Sequence, residues 1–109
     1  MFNIVTIPKF SRIVKVQVPE GDGHTEQTFK AHFKAGKDDG IMSLKWNEVE
    51  PIKKALREVL ISADELIDDK GKPVSYNDEV REGLLCLTYV RTALLKAYII
   101  GQTQDTSGN

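Results

Sequence analysis

Two histidines, one cysteine and several clustered carboxylates are the side chains of this 109-residue sequence to weigh first for metal or covalent chemistry. His24 falls in a glycine-containing turn, and His32 falls on the polar side of an alternating segment. A zinc site takes about four Cys, His or carboxylate ligands held together, so both are expected to be solvated surface histidines. Asp64, Glu65, Asp68 and Asp69 precede Gly71. A calcium loop needs oxygen ligands at alternating positions, a central glycine and a bidentate Glu. Here the spacing differs and Lys70 and Lys72 intrude, which predicts a helix end followed by a turn. Gly21-Asp22-Gly23 lacks the following Lys-Ser or Lys-Thr of a phosphate loop and leads into a strand. It reads as a hairpin turn longer than two residues. Cys86 sits in the apolar run Leu84-Leu85-Cys86-Leu87 and is expected to be a small buried hydrophobe rather than a reactive thiol.

No Gly-x-Ser-x-Gly nucleophile elbow occurs, and no cysteine adjoins a histidine in a polar setting. Asp38-Asp39 fall on a polar connection, whereas a carboxyl group acts as a general acid after burial has tuned it. The expectation is a protein with no catalytic residue, no metal ligand and no cofactor, and so not an enzyme.

The elements that would position any site divide the chain in two. Val14, Val16 and Val18 alternate along Ile13–Val18, and Phe29, Ala31 and Phe33 alternate along Thr25–Ala35, on either side of Pro19-Glu20-Gly21-Asp22-Gly23. Two such runs predict an antiparallel hairpin. Ile4, Val5 and Ile7 are candidates for a third, edge strand, where Pro8 is acceptable. The rest reads as helix. Asn47 is the expected N-cap, with Glu50 three residues on and Pro51 in the first turn. Val49, Ile52, Leu56, Val59 and Leu60 form its apolar stripe, and the helix fades between Ser62 and Leu66. After the Asp68–Pro73 turn, Ser75 or Asn77 caps a helical stretch from Asp78 to about Ile100. Val80, Leu84, Leu87, Val90, Leu94 and Ala97 or Tyr98 trace its buried stripe. Thr88 is a candidate second N-cap that splits the stretch, and Gly101 is the expected C-cap. This predicts an α+β fold: a hairpin packed on three or four helices, in one domain over residues 1–101, with a polar, disordered tail over 102–109.

Composition narrows the partners. Hydrophobic residues are 40%, charged residues 28%, and the net charge is -1, which is ordinary globular composition. Basic and acidic residues interleave, without the basic stripe that phosphate backbones require, so no nucleic-acid partner is expected. No apolar run approaches the ~20 residues that cross a bilayer, so no membrane partner is expected either. A single cysteine and no signal-peptide pattern fit a reducing cytoplasm.

One feature exceeds the needs of a lone small domain. Leu85, Tyr89, Leu95, Ile99 and Ile100 add apolar surface outside the main stripe of the C-terminal stretch. A helix apolar nearly all round is either central or covered by another chain. These five residues are the candidate partner-binding or self-association set.

The ordered motifs resemble a known family. They are Val14-Lys15-Val16-Gln17-Val18-Pro19 with Gly21-Asp22-Gly23, Thr28-Phe29-Lys30-Ala31-His32-Phe33-Lys34, Leu56-Arg57-Glu58-Val59-Leu60, Asp69-Lys70-Gly71-Lys72-Pro73-Val74, Leu84-Leu85, and Tyr89-Val90-Arg91-Thr92-Ala93-Leu94-Leu95-Lys96-Ala97-Tyr98. In order and spacing, from Val14 to Tyr98, this set is similar to the tail assembly chaperones of long-tailed bacteriophages and prophages. Leu87-Thr88 stands where that family has an Ile-Pro-like break.

The resemblance implies a chaperone that binds the tape measure protein and keeps its apolar helices soluble in the bacterial cytoplasm. It implies help in recruiting tail tube subunits, in some phages through a frameshifted form that contacts the major tail protein, and departure before the virion matures. It also implies a homo-oligomer. The alternative is another phage structural or adaptor protein that acts by protein-protein contacts, such as a head-tail completion protein or a prophage regulator.

Overall fold

The computed structural model describes residues 1–36, 40–45 and 47–103, so the Asp38-Asp39 pair and residues 104–109 of the expected tail lie outside the described residues. The hairpin is formed by β1 (Lys9–Glu20) and β2 (Gly23–Lys34), paired from Lys9↔Lys34 to Glu20↔Gly23. Both strands are longer than the alternation predicted, and His24 belongs to β2 rather than to the turn. The loop is two residues, not longer. Gly21 takes φ 60° while Asp22 keeps a negative φ, the type II′ pattern, which demands glycine first and matches the strands' twist.

The third strand comes from an unexpected place. Ile4, Val5 and Ile7 form no edge strand; they lie in a segment ahead of β1 that is anchored where the Ala35 N–H donates to the Pro8 carbonyl at 2.9 Å. Instead, helix α1 (Val49–Val59) runs directly into β3 (Leu60–Asp64), which pairs antiparallel with β2 to give the order β1-β2-β3. Opposite His32 and Phe33 the register slips, with Ser62 and Leu60 as their partners, so Ile61 bulges out unpaired. The bulge puts Leu60 and Ala63, three residues apart, in the core. That spacing continues the helical stripe of Ile52, Leu56 and Val59, which is why the segment reads as a fading helix.

Helix α1 starts one residue later than expected. Glu48 occupies the N-cap position without a side-chain cap bond to the helix, and its carboxylate accepts from the Lys45 N–H at 3.1 Å instead. Pro51 does fall in the first turn, where no intrahelical N–H is required. The Asp68–Pro73 segment is the expected turn: the Asp68 carboxylate accepts from the Lys70 and Lys72 N–H groups at 2.8 and 2.9 Å. Asn77 caps α2 (Asp78–Cys86) by accepting from the Val80 N–H at 2.9 Å.

The C-terminal stretch breaks at Leu87 and turns by 101° into α3 (Thr88–Thr103), giving three α-helices among the described residues. Arg91, 5% exposed, stitches the break. Its Nη1 donates to the Leu85 carbonyl at 2.8 Å and its Nη2 to Thr88 Oγ1 at 3.4 Å. A cation at a helix C-terminus satisfies an orphaned carbonyl and opposes the negative end of the helix dipole. The break also moves the stripe. Leu85 is fully buried, whereas Leu87 is 41% exposed, and Cys86 faces solvent, contrary to its expected burial.

The helices cover one face of the sheet. Val14, Val16, Phe29, Ala31 and Phe33 meet Ile52, Leu56 and Val59 of α1 and Val90, Leu94, Leu95, Ala97 and Tyr98 of α3 in one core. Phe10, Phe33 and Tyr98 form a ring cluster with centroids 5.4 to 5.8 Å apart, and the Gly36 N–H donates to the Tyr98 hydroxyl at 2.6 Å. Gly101 is not a C-cap. Helix α3 continues through it to Thr103, and its bare Cα lets the helix press against the Phe10 ring.

Candidate functional site

The five candidate contact residues separate. Leu85 and Leu95 belong to the core of this chain, at 0% and 7% exposure, and offer nothing to a partner in this fold. Ile99 is half-buried and packs against the core cluster. Tyr89 and Ile100 are half-buried on one flank of α3, where Ala93 and Ala97 continue their spacing.

That flank forms one wall of a groove of about 690 Å³ whose other wall is β1, through Arg12, Ile13, Lys15 and Gln17. Residues from both faces of β1 contribute. β1 is the terminal strand of the sheet, so the groove follows an edge whose backbone groups have no strand neighbour among the described residues. Ile13 is 51% exposed on it. The charged side chains are Arg12, Lys15 and Lys96 against Glu26, and Glu26 also accepts from Gln17 at 3.1 Å. The groove thus combines apolar walls, a terminal strand edge and a basic rim.

A second groove, of about 660 Å³, lies near the hairpin turn. Val18, Leu66, Ile67, Leu84, Leu87 and Tyr89 line it, with Glu65 the charged contributor. Ile67 is 67% exposed. Spacing alone places Leu87 on the buried stripe; the break after α2 turns it outward instead.

On the opposite, open face of the sheet, three strands align Ser11, His32 and Asp64, a grouping that sequence reasoning missed. The Ser11 hydroxyl lies 2.7 Å from His32 Nδ1, and His32 Nε2 lies 2.7 Å from an Asp64 carboxylate oxygen. His32 is therefore bonded on both nitrogens rather than freely solvated. The hairpin register contains half of this signal, since Ser11 pairs with His32. The other half needed β3. These are the residue types of a Ser-His-Asp triad, but none of the three lines either groove described above. Acyl transfer also needs a substrate pocket and oxyanion donors beside the serine.

Glu82 of α2 receives Arg57 of α1 at 2.8 and 2.9 Å, a two-pronged pair, and Arg81 at 2.9 Å. Hydrogen bonds from Arg57 and then Arg81 hold its carboxyl down at about 2. Burial pushes the Tyr76 phenol up. Glu82 ties α1 to α2, and neither group lines the β1–α3 groove. Among the described residues, no cluster of His, Cys, Asp and Glu is arranged to hold a metal ion, and no single helix is long and apolar enough to cross a membrane. Comparison with family models, curated proteins and solved structures yields no match to this chain.

Proposed function

We propose that this chain is a binding protein for apolar helical segments and acts as a tail assembly chaperone of a long-tailed phage, holding the tape measure protein until tail tube subunits surround it. The observation that carries the reading is the groove between α3 and the free edge of β1, whose facing walls carry Ile13 on one side and Tyr89, Ala93 and Ile100 on the other. An amphipathic helix buries its apolar face in such a groove. The rim of Arg12, Lys15 and Lys96 favours a client with acidic residues flanking that face. Repeated weak sites along a long client hold it by avidity and still permit release. The ordered sequence motifs point the same way.

Co-expression with the tape measure protein of the same phage tests this. The wild-type chain is expected to carry the client into the soluble fraction, and a variant with Ile13→Asp and Ile100→Asp is expected to leave it in the pellet. A client equally soluble with the wild type, the variant or neither would remove the chaperone reading and leave an adaptor that contacts other proteins.

A second reading, a hydrolase, rests on Ser11, His32 and Asp64. Turnover of p-nitrophenyl acetate by the wild type, abolished by Ser11→Ala, would favour it. The open setting of the row predicts equal rates for the two proteins.

A further inference from the structure

The segment ahead of β1 is an exposed apolar arm. Met1, Phe2, Ile4 and Val5 are at least 84% exposed. The arm is shaped rather than featureless, because the Asn3 side chain accepts from the Val5 and Thr6 N–H groups at 2.9 and 3.2 Å and donates to Thr6 Oγ1 at 2.9 Å. Contiguous apolar side chains left in water mark a contact surface. The arm's own base, through Ile7, already lines a groove with Lys34, Glu58, Val59 and Tyr98, and two further grooves are open to receive the exposed residues.

Charge selects between the two. The arm carries no acidic side chain to answer Arg12, Lys15 and Lys96 around the β1–α3 groove. The groove near the hairpin turn is apolar, with Glu65 its charged contributor. It leaves Ile67 and Leu87 exposed at 67% and 41%.

Reach decides whose arm fills it. The arm leaves the sheet at the Lys9↔Lys34 end, and the groove lies at Val16 and Val18, near the other end of the hairpin. Strand rise puts these about 23–30 Å apart. The stretch from Met1 to Pro8, fully extended, covers at most about 25–29 Å. Folded back along its own sheet, the arm would bring only its first residue or two to the groove, with Ile4 and Val5 short of it. A second copy faces no such restriction.

We propose that the arm of one copy docks Phe2, Ile4 and Val5 into the groove of Ile67, Leu84, Leu87 and Tyr89 on another copy. Donor and acceptor surfaces differ, so the contact is head-to-tail: it propagates along a row of copies or closes into a ring. The inference does not rest on the chaperone reading, since it uses the other groove and a different occupant.

Sedimentation velocity of the full chain over a range of concentrations tests it. The wild type is expected to self-associate. An arm variant (Phe2→Ser with Ile4→Ser and Val5→Ser) and a groove variant (Ile67→Asp with Leu87→Asp) are each expected to weaken association at least about tenfold, the loss typical of removing an apolar anchor. Circular dichroism melts of both variants are expected to match the wild type, because the altered side chains are substantially exposed. The mixture is the decisive arm. An arm variant keeps its groove and a groove variant keeps its arm, so the two together are expected to form a one-to-one dimer and stop there. A monomeric wild type, an arm variant that associates as the wild type does, or a mixture that stays monomeric would each overturn the proposal.

Discussion

Replacing Gly101 with alanine sets two energies of opposite sign against each other. On an open helix face the change stabilises by about 1 kcal/mol, because glycine has more backbone freedom to lose. Here a Cβ would run into the Phe10 ring, with Cδ2 at 2.8 Å, and would lie 3.1 Å from Arg12 Cδ. Relaxed carbon contacts are about 3.5–4.0 Å. The ring has little room to retreat, since it packs 5.4 Å from Phe33 and 5.8 Å from Tyr98. Overpacking of this kind costs about 1–3 kcal/mol. The expected net effect is a loss of about 1 kcal/mol, which lowers the melting temperature by about 4–8 °C in a domain of this size. Urea unfolding followed by circular dichroism measures it. A Phe10→Leu change alone also destabilises, but the double variant is expected to lose less than the sum, by at least about 0.5 kcal/mol. If Gly101→Ala were stabilising and strictly additive with Phe10→Leu, the contact between α3 and β1 would be wrong.

Three further outcomes follow from the packing. Arg91→Ala strands the Leu85 carbonyl and opens a void, so urea unfolding is expected to show a loss of about 2–4 kcal/mol; wild-type stability would contradict the stitched break between α2 and α3. Leu95→Ala is expected to cost about 2–5 kcal/mol as a core truncation, while Tyr89→Ala, on the surface flank, costs less; similar losses would refute the division of the candidate set. The Glu82 carboxyl is lowered from 4.5 to about 2 in the fold. Its contribution is therefore present above about pH 4.5 and disappears as pH falls towards 2. The stability gap between wild type and Glu82→Gln is expected to narrow over that interval, and a gap independent of pH would show that Arg57 and Arg81 do not hold the charge.

The sequence exposes the hairpin because Val14, Val16, Phe29, Ala31 and Phe33 alternate strictly, and alternation has no helical counterpart. It exposes α1 and the turn at Asp68 for similarly local reasons. β3 is hidden because the bulge at Ile61 spaces Leu60 and Ala63 as a helix would. Leu85 and Leu87 exchange roles because a 101° break resets the stripe, and the angle of a break depends on tertiary contacts such as Arg91 rather than on local spacing. Gly101 shows the same limit: a glycine near a helix end reads as a cap, and its partner Phe10 is 91 residues away. Of the candidate site, Tyr89 and Ile100 are legible as excess apolar residues on α3. The opposite wall, with Arg12, Ile13 and Lys15, depends on α3 crossing the free edge of β1. Ser11, His32 and Asp64 meet only once three strands are in register.

The central claim is that the groove between α3 and β1 receives an apolar helix. Isothermal titration of this chain with purified peptides tiling the tape measure protein tests it most directly. The account predicts saturable binding of one or more amphipathic segments with acidic flanks. It predicts affinity at least about tenfold weaker for the Ile13→Asp, Ile100→Asp variant and unchanged for Ser11→Ala. Absence of binding by every segment, or equal binding by the groove variant, would contradict it.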